Sequence, residues 1–245
     1  MRFARALQEA QGHGASLLSY SPGQKVHGFA QRALMPLVFG ELSCTYRPKE
    51  VSDPASPVAA ANGQYLLISR ETYQAVGGHA AVAGTILEDV ALARAVKLAG
   101  YRLFFRFGGD AVRTHMYRSF GQMAEGWTKN LALLFPAPEK LARRRCMEFA
   151  GSVGALATAV AAAALGARRA ALAAALVATP TSVRLLRRVR KAHFDWFSTM
   201  LAPLGLPLFA YLLRRSRISH KEGSVPWKGR VYPVLAQEAP EHRAH

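Results

Sequence analysis

The sequence predicts an α/β region of about 140 residues, followed by C-terminal transmembrane helices. Up to residue 140, short apolar segments alternate with helix-forming segments, which is typical of an α/β layer arrangement. Three long runs without a charged residue follow, at 149–167, 170–183 and 196–213. Arginine clusters flank these runs, as is typical of segments that cross a membrane.

Apolar periodicity and turn residues assign the elements of the first region in order. The sequence predicts a helix at 3–10 and a buried strand at 15–19, and Pro22 and Pro36 interrupt a helix pattern within 21–43. Residues 46–57, rich in Pro and Asp, are predicted to form an irregular loop. Further strands are expected at 64–68 and 101–107, and further helices at 70–76, 86–99 and 120–134.

Polar residues at the helix starts support three of these boundaries. Ser69 is a predicted N-cap, because its hydroxyl can accept a hydrogen bond from an early helix N–H group. Ser119 and Gln122 have the spacing of a capping box, in which both side chains bond backbone N–H groups. Thr85 and Glu88 have the same spacing, so Glu88 can serve this structural purpose alone.

The three uncharged runs differ in how well they suit a membrane. A transmembrane helix needs roughly 20 apolar residues, with about 17 as the lower limit. The first run has 19 residues, whereas the second has 14 and needs its flanking arginines to reach the interface. The third run contains Pro203 and Pro207, which are predicted to break a straight helix. This run is therefore expected to be either a re-entrant segment or a spanning one. These patterns divide the chain into an α/β region at 1–140, a membrane region at 141–218 and a predicted cytosolic tail at 219–245.

The basic charge is concentrated around the apolar runs. The chain has a net charge of +17, and residues 139–230 carry 17 Lys and Arg against 4 Asp and Glu. Clusters at 143–145 and 184–191 would attract anionic lipid headgroups, so the partner they predict is a membrane surface and not nucleic acid. An alanine-rich soluble helical hairpin and a soluble protein that binds nucleic acid are the alternatives. With 51% hydrophobic residues, a disordered basic tail is excluded.

The segment at 85–90 carries the most chemical information. If Glu88 completes a capping box, Asp89 is left without a structural explanation. A charged carboxylate in the first turn of a helix is favoured by the helix dipole, so an ordinary solvated Asp remains the alternative. A single ionised carboxylate near an acceptor hydroxyl is also what general base catalysis requires.

Several segments in order resemble one enzyme family. They are Ala61–Ile68, Gly77–His79, Glu88–Asp89, Arg118–Phe120 with Glu125–Asn130, and Trp227–Tyr232. Together with the membrane region they resemble the acceptor half of membrane-bound family 2 glycosyltransferases, in particular the hopanoid, carotenoid and ceramide glucosyltransferase-like groups. The resemblance covers roughly residues 15–232. It implies an incomplete GT-A-like, Rossmann-like catalytic half followed by the transmembrane helices.

The resemblance also implies roles for individual residues. Asp89, in a pair with Glu88, would be the general base of an inverting sugar transfer to a membrane lipid. Asn62, Gly63 and Gln64 would bind acceptor or donor, although a turn before a strand explains the glycine equally well.

A second set of implied site residues follows the last strand of the α/β region. Trp127 and Lys129 stand where many relatives carry a Gln-x-x-Arg-Trp motif, of which only the tryptophan is kept. Lys129 could neutralise the diphosphate or be a solvated charge, and Trp127 could be helix core with Met123 and Leu131. His115 is a weak metal candidate, with an ordinary surface or core histidine as the alternative.

The donor side of such an enzyme has no counterpart in the sequence. The family implies a nucleotide-sugar donor, most simply a UDP-sugar, and Mg²⁺ or Mn²⁺ held by a DxD motif. The four aspartates are Asp53, Asp89, Asp110 and Asp195, and no two are separated by one residue. We therefore expect a C-terminal portion of a hexosyltransferase, inactive alone, in the bacterial cytoplasmic membrane with its catalytic part in the cytosol. The alternative is a non-enzymatic membrane protein whose α/β part binds a partner.

Overall fold

A computed structural model describes residues 2–227 and 230–233 as a mixed α/β structure, about 66% helical. It forms two compact units, one of Met1–Lys25 with Thr45–Met116, the other of Val26–Cys44 with Tyr117–His245. The strands are β1 (Leu17–Ser21), β2 (Gly23–Gln24), β3 (Leu66–Ile68), β4 (Leu103–Phe107), β5 (Arg113–Thr114), β6 (Ser224–Trp227) and β7 (Arg230–Pro233). The helices are α1 (Arg2–Gly12), α2 (Gly28–Thr45), α3 (Pro48–Ser52), α4 (Arg70–Ala75), α5 (Glu88–Leu98), α6 (Phe120–Leu134), α7 (Pro138–Phe149), α8 (Ala155–Ala164), α9 (Arg168–Arg190) and α10 (Trp196–Lys221).

The first unit is built on a three-stranded mixed sheet in the order β3–β1–β4. β1 runs antiparallel to β3 and parallel to β4, while β2 and β5 form a separate parallel pair. Side chains alternate between the two faces of the sheet. Leu17 and Leu103 pack on one face with residues of α3 and α5, and Leu18 and Tyr20 pack on the other with α1. The resulting layers confirm the α/β class, although the GT-A topology itself stays a prediction.

An ionic network ties α1 to the sheet. The Arg106 guanidinium on β4 contacts both Glu9 carboxylate oxygens, at 2.5 and 2.9 Å, and lies 4.4 Å from the centre of the Tyr20 ring. The Tyr20 hydroxyl donates to the same carboxylate. Burial of Tyr20, with help from the Glu9 charge, raises its pKa to about 12, so the phenol stays protonated.

The second unit is a helical bundle centred on α10. This helix packs along α6 and α7, and its Gly205 crosses α2 so closely that a Cβ there would lie 2.3 Å from the Ala33 carbonyl oxygen. Gly40 of α2 likewise lies against the backbone of Val189 in α9. Close backbone packing of this kind needs a residue without a side chain. The two glycines therefore set where α2 meets its neighbours.

Three helical segments in the described part are long and apolar enough to cross a membrane, namely Pro138–Ala164, Arg168–Arg190 and Trp196–Lys221. Only 6% and 11% of the apolar windows of the first two are buried, whereas half of the third is buried. Large apolar side chains such as Leu165, Leu172 and Leu176 are therefore left on the surface of the α8–α9 hairpin. An exposed apolar patch of this extent marks an interaction or membrane surface, which supports membrane association.

The base of this hairpin contains a cluster of four charges. Glu148 accepts from Arg145 at 2.7 Å and from Arg188 at 2.6 Å, and Glu41 lies 3.5 and 3.3 Å from the same two arginines. All four side chains are largely buried. The expectation that the whole flanking clusters face lipid headgroups is therefore wrong for Arg145 and Arg188, because two glutamates already neutralise them.

Two sequence-based expectations about local structure are also wrong. The predicted loop at 46–57 contains α3, which begins with a proline at its first position, where no helical N–H bond is lost. The predicted break at Pro203 and Pro207 does not occur, since α10 is continuous from Trp196 to Lys221. The choice between a re-entrant and a spanning third segment stays a prediction. Of the expected tail at 219–245, residues 228–229 and 234–245 lie outside the described residues.

Candidate active site

The loop before β3 is held in place by a buried hydroxyl. Ser19 of β1 is fully buried, and its Oγ accepts from the Asn62 N–H at 2.8 Å and donates to the Tyr65 carbonyl at 3.1 Å. The Asn62 side-chain oxygen accepts from the Gln64 N–H at 3.0 Å, which closes a local turn. The Asn62 carbonyl also accepts from the Tyr65 N–H at 3.0 Å. Residues 62–64 therefore have a fixed backbone course.

The side chain of Gln64 anchors this loop to the small β2–β5 pair. Its Oε1 accepts from Gln24 Nε2 at 2.9 Å and from the Thr114 hydroxyl at 2.7 Å. The amide oxygen thus accepts two hydrogen bonds, one for each of its lone pairs. Gln64 therefore holds the loop against β2 and β5. Its role in ligand binding stays a prediction.

The fixed loop brings Gly63 against Asp89. The Gly63 N–H donates to Asp89 Oδ2 at 2.7 Å, although the two residues are 26 positions apart, and Oδ1 accepts from the Val90 N–H at 2.9 Å. A Cβ at position 63 would lie 3.4 Å from Oδ2 and 3.5 Å from the Asp89 Cβ. The structure thus brings together two of the residues that the sequence singled out. Among the described residues, no lysine or arginine pairs with this carboxylate.

The surroundings of Asp89 raise its proton affinity. Burial raises the pKa of this carboxyl above its usual range, the neighbouring Glu88 charge adds to the rise, and the backbone N–H bonds partly oppose it. Burial and the charge of Asp89 also raise the pKa of Tyr46. A carboxylate with a raised pKa is a stronger base, and each oxygen retains a lone pair beyond its one N–H bond. The arrangement can accept a proton from a hydroxyl that approaches it.

The predicted capping box at the start of α5 is wrong. The helix begins at Glu88, its N-cap is Leu87, and no side chain caps it. The Thr85 hydroxyl instead donates to the carbonyl of Val82, in the 3₁₀ turn that precedes the helix. Glu88 is exposed and stands next to Asp89, whose pKa it helps to raise.

The other predicted binding residues lie in the second unit. Trp127 is only 2% exposed and packs edge-on against Phe39 and Tyr117, with its Nε1 unpartnered among the described residues. Met123 and Leu131, at the expected helix spacing, are fully buried, which supports the core interpretation. Lys129 is partly buried, and its carbonyl lies 2.8 Å from His220 Nε2. Ligand contacts of Trp127 and Lys129 stay predictions.

The described residues do not fit the divalent cation that the resemblance implies. They contain no group of three His, Cys, Asp or Glu side chains that could hold a metal. Asp110 pairs with arginines, Asp195 caps α10, Asp53 accepts from a nearby N–H, and Asp89 is held by Gly63. His115 is exposed beside β5 and belongs to no such group.

Sequence reasoning missed two residues that shape the site. Ser19 was seen only as part of a buried strand, yet its hydroxyl fixes the loop that carries Gly63. Tyr46 fell in the predicted irregular loop, yet the charge of Asp89 reaches it. The sequence offered one signal for Ser19: it lies in an apolar strand segment, and a buried hydroxyl needs a hydrogen-bond partner.

Comparison of the chain with protein-family models, with curated proteins and with solved structures found no match.

Proposed function

We propose that this chain is the acceptor side of a membrane-bound, inverting family 2 glycosyltransferase, which transfers a sugar from a nucleotide-sugar to a hydroxyl of a membrane lipid. One observation carries the proposal. The carboxylate of Asp89 is fixed by the Gly63 N–H at 2.7 Å and has a raised pKa. General base catalysis requires a carboxylate held in a fixed position, and the contact with the distant loop provides this.

The proposed reaction uses one carboxylate. Asp89 takes the proton of the acceptor hydroxyl as the oxygen attacks the anomeric carbon, and the bond from that carbon to the nucleoside diphosphate breaks. The oxygen attacks from the face opposite the leaving group, so the configuration inverts. The proton ends on Asp89, and the electron pair of the broken bond leaves with the diphosphate. The exposed Glu88 has no direct part and supports the base through its charge.

The α8–α9 hairpin supplies the membrane attachment in this proposal. Its exposed leucines and valines would be buried in the hydrocarbon region, at roughly 25 cal/mol per Å² of apolar area. We place the α/β part in the bacterial cytosol, since the exposed arginines at the hairpin base favour that side. Binding of the nucleotide-sugar requires a further protein segment, because the four aspartates include no DxD pair.

The test measures lipids in the organism that encodes the chain, where any donor-binding segment is also present. The gene is deleted and then restored as wild type, as Asp89→Asn, or as the matched control Glu88→Gln. Mass spectrometry of the lipid extract follows each glycosylated lipid, and immunoblotting confirms equal amounts of protein.

We expect the deletion to lose a glycosylated lipid that wild type and Glu88→Gln restore and Asp89→Asn does not. Loss of the base should lower transfer by about 10²–10⁴-fold. Restoration by Asp89→Asn would refute the assigned base. A deletion that changes no glycosylated lipid would refute the transferase and favour a partner-binding membrane protein.

A further inference from the structure

A cavity of about 410 Å³ lies in the second unit, where α9 ends and α10 begins. It is lined by the cationic or polar residues Arg190, His193 and Thr199 and by the aromatic residues Phe194 and Trp196. None of these residues has a part in the proposed sugar transfer. The lining combines cationic or polar side chains with aromatic ones, which suits a ligand that carries both an anionic and an apolar part.

The walls of this cavity are fixed by the turn that connects the two helices. The Asp195 carboxylate accepts from the Ser198 N–H at 2.9 Å and from its hydroxyl at 2.8 Å, and the Thr199 hydroxyl donates to the Asp195 carbonyl at 3.0 Å. His193 has a φ of 57°, a left-handed conformation that is uncommon outside glycine. Residues held in such conformations concentrate at binding sites, and the ordered turn gives the cavity a preformed shape.

The charge around the cavity is positive. Arg184, Arg187, Arg190 and Lys191 are all exposed at this end of α9. The nearby Asp195 is paired with Arg32 at 3.6 Å and caps α10. The glutamates of the hairpin base are neutralised by their own arginines. The cations around the opening therefore favour an anionic ligand.

Two exposed aromatic rings lie at this end of the hairpin. Trp196 is 70% exposed and Phe197 is 59% exposed. Aromatic residues of this kind, at the end of an apolar helix and beside arginines, are typical of the headgroup level of a bilayer. The cavity opens beside both of these features, on two of the three helices that could cross a membrane.

We propose that this cavity binds the phosphate headgroup of an anionic phospholipid, with Arg190 as the main charged contact. The phosphate lies against Arg190 and His193, and the glycerol and first acyl carbons lie against Phe194 and Trp196. This proposal rests on the membrane attachment in the proposed function and not on the sugar transfer. A bound headgroup would hold the hairpin at a fixed depth in the bilayer.

The test uses the purified full chain in a neutral detergent and native mass spectrometry of bound lipid. Phosphatidylglycerol is titrated as the anionic probe, and phosphatidylcholine serves as the net-neutral comparison. The decisive variant is Arg190→Gln. Its matched control is Arg184→Gln, which removes the same charge from the same helix without lining the cavity. Circular dichroism and gel filtration establish that both variants keep the fold.

We expect wild type to bind one phosphatidylglycerol in preference to phosphatidylcholine. Arg190→Gln should weaken this binding at least tenfold, which corresponds to about 1.4 kcal/mol. Arg184→Gln should weaken it less than twofold, and Arg190→Lys should recover most of the affinity. Equal losses in the two glutamine variants would overturn the proposal in favour of diffuse attraction. Equal binding of the two lipids, or displacement by millimolar inorganic phosphate, would overturn it as well.

Discussion

Replacing Gly205 by Ala tests the close crossing of α10 and α2. The new Cβ would lie 2.3 Å from the Ala33 carbonyl oxygen and 2.6 Å from its carbon. An ordinary contact begins near 3.4 Å, so α2 and α10 would have to separate by about 1 Å. Overpacking of this kind costs about 1–3 kcal/mol. With 2–4 °C per kcal/mol for a unit of this size, the unfolding midpoint should fall by about 2–12 °C.

The assay is thermal unfolding of the purified chain in one detergent, followed by circular dichroism at 222 nm. The matched control is Gly154→Ala, at a helical position with no atom within 4 Å of the new Cβ. This control should leave the midpoint unchanged or raise it slightly, because Ala is favoured over Gly in helices by about 0.5–1 kcal/mol. If Gly205→Ala unfolds at the wild-type midpoint, the inferred close crossing of α2 and α10 is wrong.

Three further changes probe the ionic network, the loops and the membrane surface. Glu9→Gln removes the carboxylate that Arg106 holds, at a cost of about 1.5–3 kcal/mol in urea unfolding at pH 7. Because the pKa of Glu9 is lowered from 4.5, the difference from wild type should shrink as the pH falls below 4.5 and vanish only below the lowered pKa, and a constant difference would contradict the assignment. Lys97→Met leaves three backbone carbonyls without their ammonium donor, so amide exchange at 51–58 should accelerate, whereas unchanged protection would contradict this anchoring. Leu176→Lys should cost about 2.5–3.5 kcal/mol in a bilayer and so lower the fraction of the protein that is bound to membranes. The control Leu98→Lys, at a similarly exposed position on α5, should leave that fraction unchanged.

Local signals in the sequence predicted helix ends well where a single side chain decides them. Ser69 and Ser119 cap α4 and α6 as expected, because each hydroxyl reaches an N–H three residues ahead without help from the rest of the fold. Thr85 has the same chemistry, but its hydroxyl bonds back to Val82 in the preceding turn. Competition between two nearby backbone partners cannot be resolved from spacing alone.

Contacts between helices explain two features that local sequence patterns did not predict. Pro203 and Pro207 each remove a helical hydrogen bond, yet α10 stays continuous because it packs along α6 and α7. Arg145 and Arg188 were predicted to be membrane-flanking charges, yet both contact Glu148 and Glu41. Glu148 is only three residues from Arg145, whereas Arg188 meets it across 40 residues and Glu41 lies on α2. For the prolines and for Arg188 the determining contacts are distant in the chain.

The candidate site was predictable in part. Asp89 and Gly63 were named from the resemblance, and their contact gives these two positions a shared structural basis. The part of Ser19 in holding the loop was missed, because only the fold brings β1 and residues 62–65 together. Trp127 is buried against Phe39 and Tyr117, which agrees with the predicted helix-core alternative.

The most direct test of the assigned base is the initial rate of sugar transfer in membranes isolated from the restored strains. Radiolabelled UDP-sugar is supplied at saturation, and product lipid is counted for wild type, Glu88→Gln and Asp89→Asn at equal protein amounts. We predict that Asp89→Asn lowers the rate by at least 100-fold, while Glu88→Gln stays within a few fold of wild type. A rate for Asp89→Asn within threefold of wild type would show that Asp89 is not the general base.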